Sequence, residues 1–291
     1  MQFIKKSYSC TKCNQDNAGL LFVKQGYNIV KCRNCGFVYV NPRVLNEQLG
    51  IIYQQNYFTN NDYGYSGYEQ EKALRVKNFE KWIGKSEKFI NGDIPVRALD
   101  IGCAAGYCLE VMQGKGWHVE GLELDEKMCS ELKAKGFSAH HKLLENFETD
   151  QKYSLITLFD VIEHIPDVDA AFQQLYKITN ENGIVVMVTP DYNSIQRKIM
   201  RKKWFQYKPV EHIQYFTKDS ISSFAERNNF KAIYISVCGQ YADVNFLINR
   251  LRYYHFSSTA FLISGVLRLL NIKNRFFYID TGSLFVVFKK K

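Results

Sequence analysis

The chain has 291 residues, which suits one large domain with appendages or two domains. Hydrophobic residues make up 46% and charged residues 23%, which excludes global disorder and collagen-like repeats. The 38 Lys and Arg against 29 Asp and Glu leave a formal charge of +9.

That charge is localised. Ser194–Lys208 holds Arg197, Lys198, Arg201, Lys202, Lys203 and Lys208 without an acid, and Asn249–Lys291 holds eight bases against Asp280 alone. A localised basic surface predicts an anionic partner, the alternative being a solvated face. Met1–Tyr8 has no long apolar run and reads as no secretion signal. Ser257–Leu267 is too short to span a bilayer, so no transmembrane segment is expected. Eight cysteines without an export signal predict a reducing, cytoplasmic setting.

Cys10-Thr-Lys-Cys13 and Cys32-Arg-Asn-Cys35 form two CxxC knuckles. Each turns two thiolates toward one point, and together they predict a tetrahedral four-sulfur Zn²⁺ site with no open position, hence structural. Free or redox thiols are the alternative. Tyr27–Lys31 and Phe37–Val40 read as the strands flanking the second knuckle, giving a zinc ribbon over residues 1–43. Cys103, Cys108, Cys129 and Cys238 lack such spacing and read as buried thiols.

Residues 44–92 read as a lid and helical linker. Tyr53, Tyr57, Tyr63, Tyr65 and Tyr68 crowd a stretch with Gly64 and Gly67, a poor core former that suits a mobile lid or a plain surface linker. A helix is predicted from about Glu69 to Lys88.

Val96–Asp100 reads as a strand, Ile101–Gly106 as a small-residue turn, Tyr107–Lys115 as a helix, and Gly116–Glu123 as the next turn and strand. This is a nucleotide-binding βαβ unit, with Glu123 placed to accept hydrogen bonds from ribose hydroxyls. Asp100 precedes the glycines. A carboxylate there disfavours a pyrophosphate and suits a cofactor carrying ammonium and sulfonium charges, which points to S-adenosylmethionine rather than NAD.

Leu99-Asp-Ile-Gly-Cys-Ala-Ala-Gly106 resembles motif I of class I S-adenosylmethionine-dependent methyltransferases. Phe159-Asp-Val-Ile-Glu-His-Ile-Pro-Asp167 resembles the segment after their fourth strand, and Asn182-Gly183 before Ile184–Thr189 the turn into their fifth. The resemblance covers roughly Asp93 to Val237, with a final strand at Ser283–Lys289. It implies an α/β, Rossmann-like seven-stranded class I methyltransferase sheet over residues 93–291, with an insertion at about 240–280, behind the small zinc ribbon. It also implies that Asp100, Gly102, Cys103, Ala104 and Gly106 line the methionine end of the cofactor, that Glu123 and Leu124 hold the ribose side, and that Asp160 lies near the amino group or the substrate. His141–Glu145 departs from the family pattern near adenine, which predicts backbone amides and an apolar cover there.

The ribbon, Phe37-Val-Tyr-Val-Asn-Pro-Arg43 and the tyrosine-rich stretch resemble methyltransferases of deoxysugar and surface-polysaccharide biosynthesis. Glu211-His212-Ile-Gln-Tyr215-Phe216-Thr217 resembles their active-site segment. The implied acceptor is a small, phosphate-bearing activated sugar, nucleotide- or lipid-linked, methylated at carbon or oxygen. Methyl transfer is in-line, and an acceptor that loses a proton wants a base near neutral pKa. His212 is the candidate base, with Glu211 and Tyr215 placing the substrate. His164 is the second candidate; Glu163-His164 capping a helix is its alternative. His118, His140, His141 and His255 read as structural or surface residues. The segment 253–278 mixes apolar residues with Arg as an interfacial helix does; packing on the sheet is the favoured reading, and peripheral contact with a membrane carrying a lipid-linked sugar is the alternative. Three other readings compete. An RNA methyltransferase is disfavoured because the ribbon is not the basic part. A quinone-type O-methyltransferase usually lacks the ribbon. A non-catalytic binding module conflicts with the intact Asp100, Gly102, Gly106 and Glu123.

Overall fold

The computed structural model describes residues 3–48, 71–90, 96–243 and 276–291. The tyrosines of the expected lid, His255, and most of the 240–280 insertion and of the 253–278 segment lie outside the described residues.

The first strands are β1 (Lys5–Lys6), β2 (Ala18–Lys24), β3 (Tyr27–Cys32), β4 (Val38–Val40) and β5 (Arg43–Val44). Then come α1 (Lys72–Ser86), β6 (Arg97–Ile101), α2 (Tyr107–Gln113), β7 (His118–Glu123), α3 (Glu126–Ala134), β8 (Ser138–His141) and β9 (Tyr153–Phe159). The chain continues through α4 (Val168–Ile178), β10 (Thr179–Pro190), α5 (Ile195–Met200), β11 (Gln214–Tyr215), α6 (Lys218–Arg227), β12 (Phe230–Ala242) and β13 (Phe277–Lys290).

Seven strands form one sheet in the order β12-β13-β10-β9-β6-β7-β8. β6 to β10 pair in parallel, and β13 lies antiparallel between β10 and β12. Parallel neighbours need crossovers, which α2, α3 and α4 supply. β10 shows why both faces are covered. Val185 and Met187 pack into one apolar layer with α4 and α6, while Ile184, Val186 and Val188 pack into the other with α1, α2 and α3. The expected α/β sheet is therefore present. The strand order reverses beside β6, and the crevice at that switch point is where ligands bind in such sheets.

Several expected boundaries move. The helix expected at about Glu69–Lys88 is α1 followed by a 3₁₀ turn at Glu87–Phe89. The last strand is longer than Ser283–Lys289, because pairing with β12 extends it back to Phe277. Asn182-Gly183 lies inside β10, at a register shift between Thr179 and Ile184. A Cβ on Gly183 would stand 2.7 Å from the Tyr153 carbonyl oxygen, so only glycine fits that approach.

The ribbon does not stand apart. Its sheet runs β11-β4-β3-β2, and β11 comes from far along the chain. Gln214 pairs with Tyr39 and Tyr215 with Val38, and the Val40 amide donates to the Ile213 carbonyl at 3.0 Å. Arg227 of α6 pairs with Asp169 and donates to the Thr11 and Lys12 carbonyls of the first knuckle. Phe37 packs 5.7 Å from the rings of both Phe216 and Phe224. Cys10, Phe37 and Tyr39 thus share one buried core with Leu99, Phe172 and Phe224. Among the described residues, no helix is long and apolar enough to cross a membrane.

Candidate active site

A cavity of about 1130 Å³ opens at the carboxyl ends of β6, β7 and β9. Its first half is built from the turn after β6. Gly102 and Ala104 both have positive φ, 72° and 47°, and a Cβ on Gly102 would meet Val161 at 2.7 Å. Asp100, Gly102, Cys103 and Ala104 line the cavity; Gly106 does not. Gly106 opens α2 at φ 82°, and a Cβ there would stand 2.3 Å from Leu132 Cδ2, so helix packing by itself demands glycine at this position.

Glu123 ends β7 and is buried. Its Oε2 accepts from the Ala104 amide at 2.8 Å, and its Oε1 accepts from the amides of Leu124 and Asp125 at 2.6 and 3.0 Å. A carboxylate has about four acceptor positions. The three amides fix its orientation and leave capacity for a hydroxyl from the cavity. Burial raises the Glu123 pKa against those amides, which lower it. Asp100 accepts from Thr157 Oγ1 at 2.6 Å, and burial pushes its carboxyl up to about 7. Asp160 follows β9 with φ 55°, its amide bound to the Val188 carbonyl at 2.8 Å. Burial pushes it up to about 6, against the pull of Lys208 and Arg75. S-adenosylmethionine fits this half. Two buried carboxyls of raised pKa are what a cationic ligand would return to the ionised form, and Glu123 is held ready for a hydroxyl. Leu124, Lys142, Leu143, Leu144 and Glu145 line the far end, where the apolar cover was expected.

The second half gathers Asp160, Glu163, His164, Lys208 and His212. Two loops bring them together. Ile162–His164 is a 3₁₀ turn after β9, and the Ile213 amide donates to the Glu163 carbonyl at 3.1 Å. The two imidazoles meet edge to face, centroids 4.8 Å apart. Each donates Nδ1–H to a carbonyl: His164 to Glu211 at 3.0 Å, His212 to Gln206 at 2.9 Å. A carbonyl only accepts, so His212 carries its proton on Nδ1, while at His164 the Asp160 backbone is a second hydrogen-bond partner beside the Glu211 carbonyl. Burial and Lys208 push His164 down to about 3, and burial with His164 and Lys208 pushes His212 well below its usual value. Both rings are neutral. Glu163 accepts from Thr189 Oγ1 at 2.9 Å through Oε2, its Oε1 has no partner among the described residues, and burial beside Asp160 raises its pKa well above the usual range. Ligand atoms of Glu163, His164 and His212 all lie within 4.8 Å of one another, but the Lys208 ammonium beside both rings opposes a metal cation there.

Two expected residues stand elsewhere. Glu211 is buried off the cavity wall; its backbone carbonyl orients His164, and its carboxylate lies 3.8 Å from the Lys208 ammonium. Tyr215 was expected to touch the substrate. It is part of the sheet beside the cysteine knuckles, its ring 5.1 Å from Tyr207, its hydroxyl buried without a partner among the described residues. The alternation of β11 turns it to the ribbon side.

Sequence reasoning missed Arg75, Lys208 and the aromatic wall Phe79, Trp82 and Phe159, whose centroids are 5.1–5.9 Å apart. Lys208 stands three residues before Glu211 inside a recognised basic run, which was a signal. Arg75 and Phe79 sit on a helix read as a linker, and nothing local marks them.

Cys10, Cys13, Cys32 and Cys35 form the other cluster, their sulfurs all within 4.8 Å of one another. Cys10–Cys35 and Cys13–Cys32 are 3.5 Å apart. A Zn–S bond of about 2.3 Å implies sulfur separations of roughly 3.8 Å in a tetrahedron, so the donor set fits Zn²⁺.

Residues 68–235 match the family described as "Methyltransferase domain". Among curated relatives, the ubiquinone biosynthesis O-methyltransferase of Aromatoleum aromaticum is 29% identical over 105 residues, 33% of this chain and 45% of that protein. The malonyl-[acyl-carrier protein] O-methyltransferase of Serratia marcescens is 27% identical over 153 residues, 51% of this chain and 57% of that protein. The chain thus spans about half the length of the curated relatives it matches. An S-adenosylmethionine-dependent methyltransferase structure from Clostridium acetobutylicum matches at TM-score 0.51 and 15% identity, covering 79% of this chain and 99% of that one. One from Archaeoglobus fulgidus matches at TM-score 0.51 and 17% identity, covering 77% and 99%. With the seven-stranded sheet and the βαβ cavity in place, the chain belongs to the methyltransferase-domain family and has the class I S-adenosylmethionine-dependent methyltransferase fold.

Proposed function

We propose that the protein transfers a methyl group from S-adenosylmethionine to a small activated sugar, with Zn²⁺ holding the ribbon through Cys10, Cys13, Cys32 and Cys35. One observation carries the catalytic reading: a pair of imidazoles in edge-to-face contact faces a cavity whose other half is lined by the carboxyls of Asp100 and Glu123. When bound, S-adenosylmethionine supplies a methyl group activated by its sulfonium charge. Glu123 and Leu124 hold the ribose side, and Asp100 the cationic methionine end. His212 Nε2, whose acceptor role follows from Nδ1 donating to Gln206, takes the proton of the acceptor. His164 lies against it and is the alternative acceptor of that proton. Glu211 positions His164 through its carbonyl. Lys208 and Arg75 supply positive charge at the wall where a phosphate-bearing acceptor would enter. A low-pKa imidazole is a weak base, so positioning carries much of the rate.

The names of the curated relatives favour a second acceptor class, a quinone-type hydroxyl. The Phe79–Trp82–Phe159 wall suits a planar apolar group. Thermal-shift and turnover assays with S-adenosylmethionine against nucleotide-linked keto and hydroxy sugars and against hydroxylated quinones separate the two. Turnover of the quinones alone overturns the sugar reading; no binding of S-adenosylhomocysteine overturns the cofactor reading.

A further inference from the structure

We infer that α5 and the turn after it form a docking surface for an anionic lipid bilayer, beside the mouth of the cavity. Ile195 and Ile199 are 66% and 75% exposed, the two most exposed large apolar side chains among the described residues. They stand one helical turn apart on α5 and therefore on one face. Lys198 between them is exposed, and so are Arg201, Lys202 and Lys203 in the 3₁₀ turn that follows.

The opposite side of the same element is anchored. Ser194 caps α5 by accepting from the Arg197 amide at 3.2 Å, Gln196 donates to the Asp280 carbonyl at 2.9 Å, and Met200 packs into the core around Trp204. Trp204, next in the chain, is fully buried. The exposed isoleucines thus belong to a rigidly seated element, and folding leaves them on the outside. From Tyr192 to Val210 the chain carries no acid; Asp191 and Glu211 bracket it, both buried.

Exposed aliphatic side chains ringed by Lys and Arg match the headgroup region of an acidic membrane: the isoleucines enter the acyl boundary and the bases meet lipid phosphates and carboxylates. A nucleic acid would use the charge but gain nothing from the isoleucines. Gln196 on α5, with Phe205, Gln206 and Lys208 just beyond the turn, lines the cavity. A bilayer under this face would therefore lie at the cavity mouth.

The test is co-sedimentation of the full chain with phosphatidylcholine vesicles, with and without about one third phosphatidylserine. Binding is expected only to the acidic vesicles and is expected to fall with added salt. Ile195→Ser with Ile199→Ser should weaken it at least tenfold. Replacing Arg201, Lys202 and Lys203 together by Gln should weaken it about a hundredfold. Ile4→Ser, at an equally exposed position on the ribbon, should leave it unchanged. All variants should bind S-adenosylhomocysteine as the parent does, which separates surface from cavity. No binding to acidic vesicles, or binding indifferent to both sets of changes, overturns the inference. Capture of duplex DNA or RNA that the isoleucine changes do not affect also overturns it.

Discussion

The amide of Val40 donates to the carbonyl of Ile213 at 3.0 Å, so a strand leaving the cysteine knuckles holds the residue next to His212. The four-sulfur cluster and the imidazole pair are therefore joined by one backbone pairing, β4 against β11. Glu163 holds the other side of the same residue, through its carbonyl and the Ile213 amide.

Loss of the metal should accordingly reach the cavity. If the four sulfurs hold Zn²⁺ as proposed, Cys32→Ser is expected to abolish metal binding and unfold the strands around the knuckles, because metal binding and folding are coupled in such knuckles. Amide exchange at Ile213–Tyr215 should rise, and the melting temperature should fall. Metal analysis and hydrogen exchange on protein purified without chelator check both; zinc-free wild-type protein with unchanged exchange would sink the expectation.

Removing the Glu123 carboxylate should weaken cofactor binding at least tenfold. Each charge-assisted hydrogen bond is worth roughly 1.5–3 kcal/mol, and Glu123→Ala also leaves the Ala104, Leu124 and Asp125 amides without their acceptor. Calorimetry with S-adenosylhomocysteine gives the answer directly, and unchanged affinity would remove Glu123 from the ribose site.

Cofactor affinity should fall as the solution is acidified below about pH 7. Asp100 keeps its proton up to about 7 in the folded chain, against 3.8 for an ordinary carboxyl. A cation binds the ionised form, so each pH unit below 7 costs about tenfold in affinity from this group. Stability runs the other way in the ligand-free protein. Between pH 4 and 7 the folded state retains a proton that the unfolded chain has lost, so this group's contribution declines as pH rises through that window and is fully unfavourable above 7. Asp100→Asn should raise the melting temperature at pH 8, weaken cofactor binding and flatten both dependences. Melting and binding curves that keep the wild-type pH profile would exclude Asp100 as their source.

His212→Asn should lower kcat by about 10²–10⁴-fold with cofactor affinity nearly unchanged, since the residues proposed to hold the cofactor lie on other loops. Tyr215→Phe should leave kcat unchanged and stability equal or slightly higher, because it removes a buried hydroxyl that has no partner among the described residues. A large loss of kcat in Tyr215→Phe, measured beside the His212 variant, would return the tyrosine to the substrate site.

The sequence by itself determined whatever is local or periodic. Two CxxC spacings brought four sulfurs together because each knuckle is a short turn, and the Asp100–Gly106 run closed on Glu123 because a βαβ unit places those residues side by side. Ile184–Thr189 was legible as a strand by its resemblance, and the structure shows that strand, within β10, covered on both faces. Tertiary structure decided what depends on distant segments meeting. Tyr215 reads as an active-site residue until β11 pairs with β4 and turns it into the ribbon. Glu211 reads as a side-chain ligand, yet it is the backbone carbonyl that reaches His164. Gly106 reads from its motif alone, and the packing of Leu132 of α3 against it is a second demand for glycine that only the fold reveals. Arg75 and Phe79 become cavity walls only because α1 packs against the sheet, and no motif records a contact made across so much chain. Spacing fixes which residues can share a turn; which face they then present is set by pairing and packing partners elsewhere in the fold.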